Sequence, residues 1–160
     1  MTNFFLIWFV VTKAYFWTPF LIEGASMEPT FHSGEVVMID RDKASFINKK
    51  TDLKRGDIVV FAFNDQFYYV KRVIGLPGET LKINKEGVFV KNNFGEFELL
   101  NEPYLMANRF FYGDERFFQV PAGKYFVLGD NRDHSKDSRY FGDPYIPAES
   151  VYGRFIWEIF

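Results

Sequence analysis

The sequence predicts a mostly β, antiparallel protein, and three observations carry that prediction. Short runs rich in β-branched and aromatic residues recur along the chain. Turn-forming clusters separate them at close spacing. One pair of runs, Asp57–Phe63 and Phe67–Ile74, flanks Asn64-Asp65-Gln66 and reads as a hairpin. Ahead of it, Val36-Val37-Met38-Ile39 is a short strand. Behind it, Leu76-Pro77-Gly78-Glu79 is a turn, and strands are expected at Thr80–Ile83, Gly87–Val90, Phe117–Val120 and Lys124–Leu128. Residues 91–116 are irregular and polar with scattered rings, as in a small insertion. Gly142–Pro147 reads as a loop and Val151–Phe160 as a last strand. Strands at this spacing make an antiparallel sheet protein.

The first 22 residues differ from the rest. Phe4 to Val11 is continuously apolar, Lys13 interrupts, and Ala14 to Ile22 resumes with Tyr15, Phe16, Trp17 and Phe20. A helix would stop near Trp17, because Pro19 disfavours helix at Thr18. That length is roughly two thirds of a membrane span. A charged leading region and a small-residue cleavage site are both missing, so it does not read as a cleavable leader. Residues 1–22 are expected to be a short membrane-associated anchor, with a buried N-terminal helix or strand as the alternative. Residues 23–160 are expected to form the β domain.

Composition narrows the function classes. The 160 residues amount to one domain, or one domain with a small insertion. Of these, 21% are aromatic, which requires a ring-rich core or rings at a bilayer interface. A formal charge of -2 gives no reason to expect nucleic acid. The absence of Cys excludes disulfides, thiolate nucleophiles and cysteine-bound zinc, and two His argue against a His-rich metal site.

Three segments carry candidate chemistry. In Gly24-Ala25-Ser26-Met27-Glu28-Pro29-Thr30, small residues before Ser26 leave room for a substrate carbonyl near its hydroxyl and backbone N–H. By itself this is also an ordinary turn. In Tyr69-Val70-Lys71-Arg72-Val73-Ile74-Gly75, side chains alternate faces, so Lys71 shares a face with Tyr69 and Val73, and Arg72 with Val70 and Ile74. Lys71 therefore sits in the most apolar hairpin of the chain, where burial lowers an ammonium pKa. Bringing it from about 10.4 to near neutrality costs about 4 kcal/mol, which only a desolvated site supplies. The third segment, Gly129 to Arg139, is dense in turn formers and polar groups, as a solvated loop would be. Asp137 and Arg139 are nevertheless suited to an ion-pair network with a buried Arg72.

Together these motifs, with Arg55-Gly56-Asp57-Ile58-Val59 and Leu76-Pro77-Gly78-Glu79, stand in the order found in type I signal peptidases, which the chain resembles from about Phe16 to its end. The resemblance implies Ser26 as nucleophile, Lys71 as general base and the Ser135 hydroxyl as the group orienting the Lys71 ammonium. It implies that Arg72, Asp137 and Arg139 form a structural ion-pair cluster. It also implies a membrane-tethered antiparallel β catalytic domain with a small β insertion at about 80–122. Some relatives carry a serine hydroxyl for the oxyanion two residues before the nucleophile. Gly24 stands there in this chain, which leaves the Ser26 N–H, a donor typically worth about 3 to 4 kcal/mol.

The implied activity is endoproteolytic removal of signal peptides from exported pre-proteins, cutting after small residues of the Ala-X-Ala type. It needs no metal or cofactor. Implied partners are the pre-proteins, the lipid bilayer and the secretion translocase, and the implied location is the extracytoplasmic face of the plasma membrane. A self-cleaving repressor with a Ser–Lys pair would need a DNA-binding domain, for which this N-terminus is too short. A non-catalytic β module would be expected to have lost Ser26 or Lys71. His134, next to Ser135 in an Asp-rich loop, raises a Ser–His–Asp triad as the competing arrangement. A turn should expose it, and His32 reads as a surface residue.

Overall fold

The computed structural model describes residues 17–41, 53–63, 67–105 and 114–158. In chain order the strands are β1 (Trp17–Leu21), β2 (Val36–Asp40), β3 (Ile58–Ala62), β4 (Tyr68–Gly75), β5 (Thr80–Asn84) and β6 (Gly87–Lys91). They continue with β7 (Phe97–Leu99), β8 (Arg116–Gln119), β9 (Lys124–Leu128), β10 (Ile146–Pro147) and β11 (Val151–Glu158). A seven-stranded sheet has the order β1-β2-β11-β3-β4-β9-β10, and a four-stranded sheet the order β7-β6-β5-β8. Neighbouring strands pair antiparallel throughout. The protein is mostly antiparallel β, as its short alternating runs predict.

The smaller sheet is built from residues 80–119, between β4 and β9 of the larger one. Its inward side chains Leu81, Ile83, Val88 and Phe118 share one core cluster with Ile74, Val120, Phe126 and Leu128. Two further clusters follow from the period-2 alternation of β3. Val59 and Phe61 pack with Val73, Tyr125, Val127 and Val151, whereas Ile58 and Val60 pack with Ile22, Met27, Phe31, Val37 and Ile39. β3 thus buries both faces, which is why it reads as a continuous apolar run.

Three local features depart from the sequence reading. The last part of the expected anchor, Trp17–Leu21, is strand β1 of the main sheet, paired with β2 from Trp17↔Asp40 to Leu21↔Val36. Pro19 biases its neighbour toward extended backbone and is tolerated because β1 is an edge strand. The irregular stretch 91–116 contains the three-residue strand β7, and the expected loop Gly142–Pro147 ends in β10. Both are too short to show a period. The run Phe4–Val11 and the turn Asn64–Gln66 lie outside the described residues.

Gly75 marks where the chain leaves β4 for the smaller sheet. A β-carbon there would lie 2.8 Å from Leu81 Cδ1 and 2.9 Å from both Phe126 Cβ and Val120 Cγ2. All three belong to the cluster that joins the sheets. Gly75→Ala is therefore expected to destabilise the fold by about 1 to 3 kcal/mol through overpacking. A thermal melt should show a fall of roughly 5 °C. An unchanged melting temperature would mean that this junction is looser than described.

Candidate active site

Ser26 opens the turn Ser26–Thr30, after β1. Met27 and Phe31 are buried in the core, and the Phe31 N–H donates to the Met27 carbonyl at 3.0 Å, so the turn is pinned from below. Ser26 itself remains partly exposed. Gly24, at the position where some relatives carry a serine, is exposed with φ +83 and donates its N–H to Ser33 Oγ at 3.1 Å.

Lys71 lies within β4, opposite Val59 of β3. It is only 3% exposed, and Tyr69 and Val73 on its face pack into the apolar cluster around Phe61. Its Nζ donates to Ser26 Oγ at 2.7 Å and to the Val70 carbonyl at 2.7 Å. Burial brings the Lys71 pKa down from 10.5 to about 8, against the opposing pull of Asp137 and Asp130. Desolvation wins because both carboxylates are already engaged by arginines.

The register of β4 against β9 brings in the third segment. Arg72 pairs with Leu128, so the chain leaving β9 passes level with Lys71. Gly129 arrives there with no room for a side chain: a β-carbon would overlap Ser135 Oγ and the Ser26 carbonyl oxygen. Two residues on, Asn131 donates its N–H to the Ser26 carbonyl at 3.1 Å and its Nδ2 to the Ala25 carbonyl at 2.9 Å. The Ser26 turn and the Gly129–Asn131 turn are thereby held face to face.

The buried ion pairs correct the expected cluster. Arg72 pairs with Asp130, not Asp137: Nε donates to Oδ1 at 2.9 Å and Nη2 to Oδ2 at 2.6 Å. Asp137 instead holds Arg139, whose Nε and Nη2 donate to it at 2.8 and 2.9 Å, and it also accepts from the Gly129 N–H at 3.0 Å. The reason is registry. Asp130 is the first carboxylate to emerge beside Arg72, and the guanidinium is filled by it together with the Gly56 carbonyl and Thr30 Oγ1. A third pair, unforeseen, joins fully buried Arg132 to Glu102 in the inserted segment.

Ser135 is a second correction. Its Oγ is buried near Gly129 but has no hydrogen-bond partner among the described residues, so the implied bond to Lys71 is not made. The Lys71 ammonium is instead occupied by Ser26 Oγ and the Val70 carbonyl. His134 and His32 are both exposed, and neither is hydrogen-bonded to Ser26. Within the segment Gly129 to Arg139, no role was expected for Gly129, Asp130 or Asn131. The signal was the glycine followed by two short polar residues directly after an apolar strand. Glu102 and Tyr104 had no such signal.

The whole chain, residues 1–160, matches the model of the family described as signal peptidase, peptidase S26. Among curated proteins, signal peptidase IB of Staphylococcus aureus is 40% identical over 155 residues, covering 86% of this chain and 75% of that protein. Signal peptidase I of Bacillus licheniformis is 37% identical over 139 residues, covering 81% of this chain and 70% of that one. A solved signal peptidase I from Enterococcus faecalis V583 is 34% identical with a TM-score of 0.49, covering 68% of this chain and 98% of that one. The match over the whole chain and the identity to these two curated peptidases show that the chain belongs to the signal peptidase family, peptidase S26, and is a serine endopeptidase.

Proposed function

We propose that this chain removes signal peptides from exported pre-proteins by a Ser–Lys dyad, with Ser26 as nucleophile and Lys71 as general base. The observation that supports the dyad is the 2.7 Å contact between Lys71 Nζ and Ser26 Oγ in a site where the lysine is buried. Neutral Lys71 accepts the Ser26 proton as Oγ bonds to the scissile carbonyl carbon. The Ser26 N–H donates to the resulting oxyanion. Collapse breaks the C–N bond, and the proton on Lys71 leaves with the amine. Water, deprotonated by the same lysine, then hydrolyses the acyl ester. Preference for small residues of the Ala-X-Ala type rests on kinship with the signal peptidases I. So does a location at the outer face of the plasma membrane, with the secretion translocase as a neighbour.

With a pKa of about 8, Lys71 is neutral in about one molecule in ten at pH 7 and about nine in ten at pH 9. Cleavage should therefore rise about tenfold over that interval, with a midpoint near 8. Ser26→Ala, Lys71→Ala and Lys71→Arg should be inactive, since Arg keeps the charge but cannot give up a proton. His134→Ala should retain most activity. Active Lys71→Arg beside inactive His134→Ala would replace the dyad with a histidine base.

The same shift makes a stability statement. Lys71 has its folded pKa lowered, so the unfolded chain binds the proton more tightly, and burial is a penalty. The penalty is full below pH about 8, fades as the pH rises toward 10.5, and is absent above it. Lys71→Met should thus be inactive yet more stable at neutral pH by up to about 3 kcal/mol. Denaturant melts at pH 7 and pH 10.5 should show the gain shrinking at the higher pH. A gain independent of pH would contradict a buried charge as its source.

Attachment to a bilayer is assigned to the apolar run before β1, since no helix among the described residues is long and apolar enough to cross a membrane. Full-length protein should float with liposomes, and protein lacking residues 1–16 should not. Equal partitioning would remove the anchor from the account.

A further inference from the structure

We propose that Glu102 and Tyr104 are positioning residues that clasp two buried arginines and thereby hold the Gly129–Asn131 turn against Ser26, making the inserted sheet a working part of the catalytic centre. The proposal rests on Ser26 being the nucleophile. The path is continuous. Arg132 Nη1 donates to Glu102 Oε2 at 3.1 Å and Nη2 to Oε1, while Nε reaches back to the Gly129 carbonyl at 3.0 Å. The side chains of Arg132 and Glu102 are 0% and 7% exposed. Gly129 abuts the Ser26 carbonyl, and Asn131 bonds the carbonyls of Ala25 and Ser26. Every residue from 129 to 132 is therefore tied, and the tie furthest from Ser26 in space of bonds is the one to Glu102.

Tyr104 couples this pair to the other one. Its hydroxyl donates to Glu102 Oε1 at 2.6 Å, and its ring lies 3.9 Å from the Arg72 guanidinium carbon, beside the Arg72–Asp130 pair. Burial first, and then the Glu102 charge, push its phenol well above the ordinary range, so it stays a donor. Asp130, which holds Arg72, directly follows Gly129, whose carbonyl holds Arg132. Glu102 and Tyr104 flank Pro103, whose ring restricts the backbone between them. Removing the Glu102 carboxylate takes from a buried guanidinium the two acceptors that Nη1 and Nη2 bond, and the guanidinium must draw in water or turn away. Either movement releases the Gly129 carbonyl.

The test compares Glu102→Ala, Glu102→Gln and Tyr104→Phe in the full chain, with Leu99→Ala as a control at an exposed site in the same inserted segment. An internally quenched peptide spanning an Ala-X-Ala site reports kcat and KM at pH 9, and amide hydrogen exchange is followed at residues 129–132. Glu102→Ala should lose roughly tenfold to hundredfold in kcat with KM within about threefold, as expected for a displaced reacting group. Its Asn131 amide should exchange at least about tenfold faster. Glu102→Gln keeps one acceptor and should fall between, and Tyr104→Phe, which keeps the ring on Arg72, should be milder than Glu102→Ala. Should Glu102→Ala not fold, the other two variants carry the same comparison. A lower melting temperature with unchanged kcat and unchanged exchange would make the pair a fastening only and overturn the proposal. Exchange is read without substrate, so it decides the clasp even where Lys71→Arg retains activity and the dyad falls alone.

Discussion

A lysine ammonium taken out of water beside a serine hydroxyl is the constraint on which the rest of this structure depends. Lys71 is 3% exposed, and Asp137 and Asp130 pull its pKa back up by less than burial pulls it down. Each of these carboxylates is also held by an arginine, Asp130 by Arg72 and Asp137 by Arg139. The arginines thus do two things at once. They neutralise carboxylates that would otherwise be costly to bury, and they leave the lysine as the cation short of counter-charge. An apolar hairpin alone would desolvate Lys71. The divided ion pairs keep that desolvation from being undone.

The same division fixes geometry. Asp130 and Asp137 bracket the segment that faces Ser26, and their arginines come from β4 and from two residues beyond Asp137. The Gly129 N–H bonds Asp137 and its carbonyl receives Arg132, so the backbone at the tightest point is tied on both sides. The buried Ser135 hydroxyl stands apart, without a partner among the described residues. A buried unpaired hydroxyl costs about 1 to 3 kcal/mol, a cost that sites built for chemistry rather than stability retain.

The sheet architecture and the apolar setting of Lys71 were legible in the sequence, whereas the wiring around Ser26 and Lys71 was not. β3 and β4 announce themselves because burial on both faces forces long apolar runs, and the alternation of β4 separates Lys71 from Arg72 without any structure. Strands of two or three residues, such as β10 and β7, carry no period to detect. β1 was hidden in an apolar stretch whose composition suits a bilayer and a sheet edge equally well. Which carboxylate Arg72 takes depends on the β4–β9 register, which brings Asp130 beside it before Asp137. That register is a tertiary fact, invisible to spacing along the chain. Glu102 is further removed still, since its partner lies 30 residues away across the sheet junction.

The central claim is that Lys71 is held in a state where it can be neutral near physiological pH, and direct titration of its side chain tests it without any substrate. Protein labelled with ¹³C at the lysine ε-carbon, followed by NMR from pH 6 to pH 11, gives one resonance per lysine, and Lys71→Met identifies the one that matters. The account predicts that this resonance titrates with a midpoint near 8, well below the ordinary lysine value of about 10.4. A Lys71 resonance that titrates with the exposed lysines would contradict it.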